Sequence, residues 1–191
     1  MSSKLQNIIN LFEKAKNWDY IGEDITQEQH MLQTAKKAKN DTRTIPSSIT
    51  KEQLIIASLL HDIGHIIDYE SKNSMISNGI ELGQLSHEKI GEKYLENLGF
   101  NSNICKLVGM HVMAKRYLVS KDETYYNKLS EASKLTLKIQ GGPMTEQEIK
   151  DYENNPLFLG SLYLREYDDS GKEQITSLDT LENYYSMIEN N

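Results

Sequence analysis

The chain has 191 residues, of which 38% are hydrophobic and 26% are charged, and this length favours one domain over 1–191 with a core able to bury polar groups. The formal net charge of −7 argues against a nucleic-acid partner, and the single cysteine, Cys105, excludes an intramolecular disulfide and favours a reducing compartment. Because no apolar run approaches the roughly 20 residues of a membrane span, we expect a cytoplasmic protein without a membrane partner.

The predicted elements are helical along the chain. Apolar residues at helical spacing from Leu5 to Ala15 predict an opening amphipathic helix. Pro46, Gly99 and the run Gly141-Gly142-Pro143 predict breaks between later helices. Capping boxes predict three helix starts, at Thr26 with Gln29, Thr50 with Gln53, and Thr145 with Glu148.

Period-two alternation is poor, so the fold class that we predict is all-α, as a single helical bundle. The further predicted helices lie near 26–40, 51–67, 87–98, 102–117, 129–139, 145–153, 157–168 and 178–189.

The histidines indicate function, because each falls on a predicted helix near an apolar face. A lone helical histidine is more often a hydrogen-bonded core residue than a ligand, whereas several in one small helical domain favour a metal site. The chain has five, namely His30, His61, His65, His87 and His111.

The segment LIIASLLHDIGHII is apolar nearly all round, so its helix should be buried together with His61 and Asp62. A buried carboxylate requires a cationic partner or a metal. We favour the metal because the segment contains no lysine or arginine, and a salt bridge to a basic residue elsewhere is the alternative. His65 lies one turn after His61, which suits a ligand or a donor to substrate.

Two further positions extend this pattern. Lys115 lies one turn after His111 on an apolar stripe, which predicts an anion site beside the metal; a lysine snorkelling from a helix end is the alternative. Asp168 shares a helical face with Leu164, so it is the predicted inward carboxylate and Asp169 the surface one. Two solvated aspartates near a helix end are the alternative.

Six residues resemble the ligand pattern of binuclear members of the HD-domain superfamily: His30, His61, Asp62, His87, His111 and Asp168. More closely, the chain resembles the HD-domain mixed-valent diiron oxygenases of organophosphonate breakdown, which are related to myo-inositol oxygenase. The resemblance is strongest over 20–172. It is carried by YIGEDITQEQH, LLHDIGH, LSHEKIGEKYLENLGF, HVMAKRYL, LSEASKLTLKIQGGPM and YDDSGK.

This resemblance implies two iron ions (Fe2+/Fe3+), with Asp62 as a ligand of both. The second iron would have fewer protein ligands and therefore open positions for a chelating substrate. Imidazole and carboxylate ligands also suit zinc or manganese, so iron rests on the resemblance alone. The remaining ligands would be His30, His61 and Asp168 on one iron, and His87 and His111 on the other.

The implied activity is cleavage of the carbon-phosphorus bond of a small 1-hydroxyphosphonate by O2. A 1-hydroxy-2-aminoethylphosphonate would give phosphate and glycine, or an N-methylated glycine. Tyr20 resembles a tyrosine that covers the open iron, and Glu23 an acid that meets the substrate amine; an ordinary aromatic and acid on a surface loop is the alternative. The phosphonate would be surrounded by the donors His65, Lys115, Ser133, Thr136 and Gln140.

Two other functions remain open. An HD-domain phosphohydrolase would use the same metals to activate water against a small phosphate ester or nucleotide. The spacing of Tyr20 and Glu23 favours the oxygenase. A non-enzymatic metal-binding regulatory domain is less favoured, because an open site with an adjacent lysine exceeds what metal binding requires.

Overall fold

A computed structural model describes residues 2–67, 74–77, 79–174 and 178–191. The elements in these ranges are α1 (Ser3–Ala15), α2 (Gln27–Asn40), α3 (Lys51–Leu60), α4 (Ile63–Ile67), β1 (Ser74–Ser77), β2 (Ile80–Gln84), α5 (His87–Asn97), α6 (Ser102–Lys121), α7 (Glu123–Lys128), α8 (Glu131–Ile139), α9 (Glu146–Glu153), α10 (Phe158–Ser170), a 3-10 helix (Leu181–Tyr184) and α11 (Tyr185–Asn190).

The predicted all-α fold class is confirmed, and so are the three predicted capping boxes. Each threonine side chain accepts a hydrogen bond from the backbone three residues later, and the Gln or Glu there bonds back to the threonine N–H. These reciprocal bonds satisfy the free N–H groups of a helix start, so α2, α3 and α9 begin where local sequence predicts.

The single helix predicted over 51–67 is divided at the His-Asp doublet. α3 ends at Leu60 and α4 begins at Ile63. The Asp62 carbonyl accepts a hydrogen bond from the His65 N–H at 3.0 Å. This bond joins residues three apart, as in a 3-10 turn, whereas an α-helical bond joins residues four apart. His61 keeps helical dihedrals (φ −59°, ψ −36°), so the chain continues in nearly the same direction while both side chains enter the interior.

The hairpin of β1 and β2 was not predicted. Its strands pair antiparallel, with Ser74 opposite Gln84 and Ser77 opposite Ile80. Strands of four and five residues are too short for a period-two pattern to stand out. The hairpin contacts α4 and α8, and it therefore lies beside the His-Asp turn.

Other differences lie at helix ends. α6 continues past 117 to Lys121, α7 was not predicted, and the helix predicted over 178–189 begins as the 3-10 turn Leu181–Tyr184. Asp122 leaves helical dihedrals (φ −141°, ψ 106°) and caps α7 through its side chain, so a local cap divides α6 from α7.

The core is apolar and includes α3 almost whole. Every residue from Leu54 to Leu60 is at most 3% exposed. α3 packs against α2, α6 and α10, the helices that carry several predicted ligands. Cys105 lies in this core. In the described part of the chain, no helix combines the length and apolar character needed to cross a membrane.

Candidate metal centre

The structure brings the six predicted ligands together at the centre of the bundle. His30 comes from α2, the doublet from the turn before α4, His87 from the start of α5, His111 from α6 and Asp168 from α10. Five separate stretches of backbone therefore converge on one point. All six residues are at most 5% exposed: His30, His61, Asp62, His87, His111 and Asp168.

One half of the cluster is formed by His30, His61 and Asp168. The two histidine Nε2 atoms are 3.1 Å apart. Asp168 Oδ1 lies 3.4 Å from His30 Nε2 and 3.8 Å from His61 Nε2. Two imidazole nitrogens and a carboxylate oxygen therefore face one another within a space that suits a single ion.

The other half is formed by His87 and His111, with Asp62 between the halves. The Nε2 atoms of His87 and His111 are 2.9 Å apart. Asp62 Oδ1 lies 3.5 Å from His87 Nε2 and 3.6 Å from His111 Nε2, whereas Oδ2 lies 3.6 Å from His30 Nε2. Oδ1 also lies 3.5 Å from His61 Nε2, so the carboxylate lies between the two halves and contacts both.

The hydrogen bonds of the rings test whether the cluster fits a cation. Nδ1 of His30, His61 and His111 lies 2.9, 2.9 and 2.7 Å from the carbonyl oxygens of Gly171, Ser58 and Val108. A carbonyl only accepts, so each Nδ1 donates and each neutral ring keeps its Nε2 lone pair free. Nε2 lone pairs that face each other at 3.1 Å repel unless a cation lies between them, so these donors fit a metal.

Burial keeps part of the cluster uncharged. It lowers the pKa of His111 to about 3 and the pKa of His87 well below its usual range. Neutral imidazole is the form that binds metals. His87 Nδ1 has no hydrogen-bond partner among the described residues; the Glu88 carboxylate lies 3.9 Å away.

Arg165 and Gln27 support the cluster and were missed by sequence reasoning. Arg165 Nη1 lies 2.8 Å from Asp168 Oδ2, and this buried pair leaves Oδ1 toward the histidines. Burial raises the pKa of Asp168, but the Arg165 charge holds it well below the usual range. Gln27 Nε2 donates to Asp62 Oδ2 at 3.0 Å. Both lie three residues from a predicted ligand on the same helix, a spacing that could have identified them.

A cavity of about 410 Å³ opens beside the cluster and is lined by several predicted substrate residues. Its walls are formed by residues of the loop before α2, of the β hairpin and of α8. Among its lining residues are Tyr20, Gln27, His65, Gly83, Gln84, Ser133 and Thr136.

Lys115 is buried next to this cavity and is 4% exposed. Its Nζ donates to the Thr136 hydroxyl at 3.0 Å, which joins α6 to α8. It lies six residues before the end of α6, so the alternative of a lysine snorkelling from a helix end is wrong. Burial lowers the pKa of Lys115 to about 7.

Tyr20 and His65 each stack on a histidine ring of the cluster. The Tyr20 ring stacks on His30 with centroids 4.0 Å apart, and His65 stacks on His87 at 3.8 Å. Burial, together with the Asp168 charge, raises the pKa of Tyr20 well above its usual value, so its phenol is neutral. A His65 nitrogen also lies within 4.8 Å of ligand atoms of Asp62 and His87.

Glu23 and Gln140 do not line this cavity in the structure. Glu23 lines a neighbouring cavity of about 820 Å³, and Ser130 borders both cavities. Gln140 caps the far end of α8, and its Oε1 is buried without a hydrogen-bond partner among the described residues. Asp169 points away from the histidines and pairs with Arg165 and Tyr125.

The chain is similar to known proteins over most of its length. The model of the HD domain matches residues 28–140. The chain is 38% identical over 162 residues to a [1-hydroxy-2-(trimethylamino)ethyl]phosphonate dioxygenase (glycine-betaine-forming) of Leisingera caerulea, covering 85% of this chain and 76% of the relative. It is 34% identical over 188 residues to a hydroxymethylphosphonate dioxygenase of Gimesia maris, covering 96% and 87%.

A third relative is an uncharacterised protein of Acanthamoeba polyphaga mimivirus, 41% identical over 191 residues, which cover 98% of this chain and 83% of the relative. The HD-domain match spans more than half of the chain, and the two dioxygenases align with most of it. The chain therefore belongs to the HD-domain family, as a relative of its phosphonate dioxygenases.

Proposed function

We propose that this protein is a metal-dependent oxygenase that cleaves the carbon-phosphorus bond of a small 1-hydroxyphosphonate with O2. The observation that carries the proposal is a paired His/Asp cluster that shares Asp62 and adjoins a cavity with a buried lysine. The relatives named as phosphonate dioxygenases support the same chemistry. In the balanced reaction, the substrate R–CH(OH)–PO3H2 and O2 give the carboxylic acid R–COOH and phosphoric acid.

The cofactor in this proposal is a pair of iron ions. His30, His61 and Asp168 would hold one ion, His87 and His111 the other, and Asp62 both. When bound, the pair supplies oxygen activation and the oxidation that breaks the carbon-phosphorus bond. The protein supplies neutral imidazoles and carboxylates whose orientation is set by Gln27, Arg165 and three backbone carbonyls.

The substrate roles follow from the cavity. Lys115 lies beside the cavity and donates to Thr136 of its wall, which leaves two further N–H donors of Lys115 for phosphonate oxygens, together with Ser133 and His65. The Thr136 hydroxyl donates to the Ser133 carbonyl at 3.1 Å in this structure and would turn toward a bound phosphonate. Tyr20 covers the His30 side and excludes water from that face. Glu23 lines the neighbouring cavity, which shares the lining residue Ser130 with the first, and we propose that it meets the substrate amine from there. Gln140 does not line this cavity, and its proposed role as a further phosphonate donor rests on the family resemblance.

The proposal is tested by loading the protein anaerobically with iron and then admitting O2 in the presence of candidate substrates. The panel contains 2-amino-1-hydroxyethylphosphonate, its trimethylamino analogue, hydroxymethylphosphonate and small phosphate esters. We expect phosphate release matched by oxygen uptake with at least one hydroxyphosphonate. Phosphate released from the esters without oxygen, and none from the phosphonates, would instead identify a phosphohydrolase.

A further inference from the structure

His65 lies between the β hairpin and the metal cluster. One face of its ring stacks on His87, with centroids 3.8 Å apart and planes 18° apart. Gly83 of β2 also lies against the ring, so close that a Cβ added there would be 2.7 Å from His65 Cε1 and 2.8 Å from Nδ1. The ring therefore packs against both His87 and strand β2.

The hairpin also determines which ring nitrogen of His65 carries the proton. The Gln84 backbone N–H donates to His65 Nδ1 at 3.0 Å. A nitrogen that accepts a hydrogen bond has no proton, so a neutral His65 carries its proton on Nε2. If Nε2 bound a metal instead, Nδ1 would hold the proton and could not accept from Gln84.

The hydrogen bond from Gln84 distinguishes two roles of His65, metal ligand and hydrogen-bond donor, between which distance alone does not decide. His65 offers a nitrogen within 4.8 Å of ligand atoms of Asp62 and His87, so by proximity it could be a ligand. The bond from Gln84 makes it a donor that faces the cavity. His111, whose Nδ1 contacts the Val108 carbonyl at 2.7 Å, has the opposite tautomer and a free Nε2.

We propose that strand β2 fixes His65 as the Nε2–H tautomer, so that Gly83 and Gln84 are positioning residues for an oxyanion donor in the cavity. The tautomer is inferred from these contacts alone, whereas the role of His65 in binding a phosphonate rests on the proposed function. Only glycine satisfies both demands on position 83, because φ is +88° there and the ring leaves no room for a Cβ.

The tautomer is measured on the unsubstituted protein. Zinc loading keeps the full chain diamagnetic, and ¹⁵N-labelled histidine allows long-range ¹H–¹⁵N correlation of each ring. His65→Gln identifies the His65 signals. We expect an unprotonated Nδ1 and a protonated Nε2 at His65. A protonated Nδ1, or a zinc-bound Nε2, would overturn the proposal, and this measurement requires no hairpin variant to fold.

Two hairpin glycines provide a matched pair of variants. Gly79 and Gly83 have similar positive φ angles, +79° and +88°, but a Cβ at Gly79 meets no atom of the described residues within 4 Å. Both alanine variants therefore carry backbone strain of a similar kind, and Gly83→Ala in addition displaces the ring. We expect Gly83→Ala to change the His65 ring signals and weaken methylphosphonate binding about tenfold, and Gly79→Ala to change neither.

Identical ring signals and affinities in the two alanine variants would contradict the role of Gly83. A His65 with the expected tautomer in a protein that releases no phosphate from any hydroxyphosphonate would refute the proposed function and leave this inference intact. The two failures are therefore distinguishable.

Discussion

Asp62 is the side chain whose two oxygens face both halves of the cluster. Oδ1 lies 3.5 Å from His87 Nε2 and Oδ2 lies 3.6 Å from His30 Nε2. We predict that Asp62→Ala abolishes binding of both metals, because one carboxylate serves two ions. Metal analysis of the folded variant measures this directly.

A suitable control is Asp169→Ala, because the Asp169 carboxylate pairs with Arg165 and Tyr125 and none of the proposed ligands. This variant should retain both metals. Two metals per chain in folded Asp62→Ala would show that the carboxylate does not bridge.

Lys115 is the buried lysine that we propose binds the phosphonate. Lys115→Met keeps the length and burial of the side chain and removes its charge, so folding and metal content should survive. A hydrogen bond to a charged group contributes about 1.5 to 3 kcal/mol, so KM for the phosphonate should rise about tenfold or more. Lys121→Met, on an exposed position of the same helix, should leave KM unchanged. Equal KM values would remove Lys115 from the site.

The pKa of Lys115 also predicts a pH dependence. Burial lowers it to about 7, so the free enzyme loses this positive charge as the pH rises through that value. The phosphonate kcat/KM should fall on the alkaline side with an apparent pKa near 7. Lys115→Arg keeps its charge at every working pH, so its alkaline limb should move to higher pH. Superimposable alkaline limbs would assign the pH effect to another group.

At the scale of elements, the cluster requires α4 and α5 to approach closely at Gly64. A Cβ there would lie 1.9 Å from the His87 carbonyl oxygen and 3.0 Å from the Gly91 nitrogen. Helix propensity alone would favour alanine by about 1 kcal/mol, but overpacking against backbone costs about 1–3 kcal/mol or more. We therefore predict that Gly64→Ala lowers Tm.

A Cβ only 1.9 Å from a backbone oxygen places the cost at about 3 kcal/mol, of which the propensity gain offsets about 1 kcal/mol. The expected drop is therefore about 4–8 °C, since about 1 kcal/mol corresponds to about 2–4 °C in a chain of this size. Thermal unfolding of the metal-loaded protein measures it. The Gly79→Ala variant is strained in φ, but its Cβ meets no atom of the described residues within 4 Å, so its Tm should fall less. A Gly64→Ala protein as stable as the unsubstituted one would mean that α4 and α5 can separate without loss.

At the scale of the molecule, the metals should stabilise the fold, because their ligands come from stretches far apart in the chain. A ligand that binds only the folded state at 100 times its Kd adds about 2.7 kcal/mol. Chelator treatment should therefore lower Tm by about 5–10 °C. Scanning calorimetry before and after chelation measures this, and Asp62→Ala should show no such drop. A Tm unchanged by chelation would show that the folded protein holds no tightly bound metal.

Local sequence determined the all-α class, the capped helix starts and the buried helix before the His-Asp doublet. Each depends on residues within one or two turns, as when Thr26 and Gln29 bond each other's backbone. The predicted ligands also lie together. Helical position placed His61, Asp62, His111 and Asp168 on apolar faces, and those faces must meet in the core, whereas the full set of six came from the family resemblance.

Only the tertiary structure decided which partners orient these side chains. Gln27 reaches Asp62 across 35 positions, and Gly171 accepts from His30 across 141. The hairpin whose Gln84 contacts His65 shows no clear period-two alternation in its sequence. The position of Glu23 in a second cavity depends on how the loop before α2 packs against α10. Such contacts are set by packing between distant segments, and a local pattern carries no information about which segments will pack.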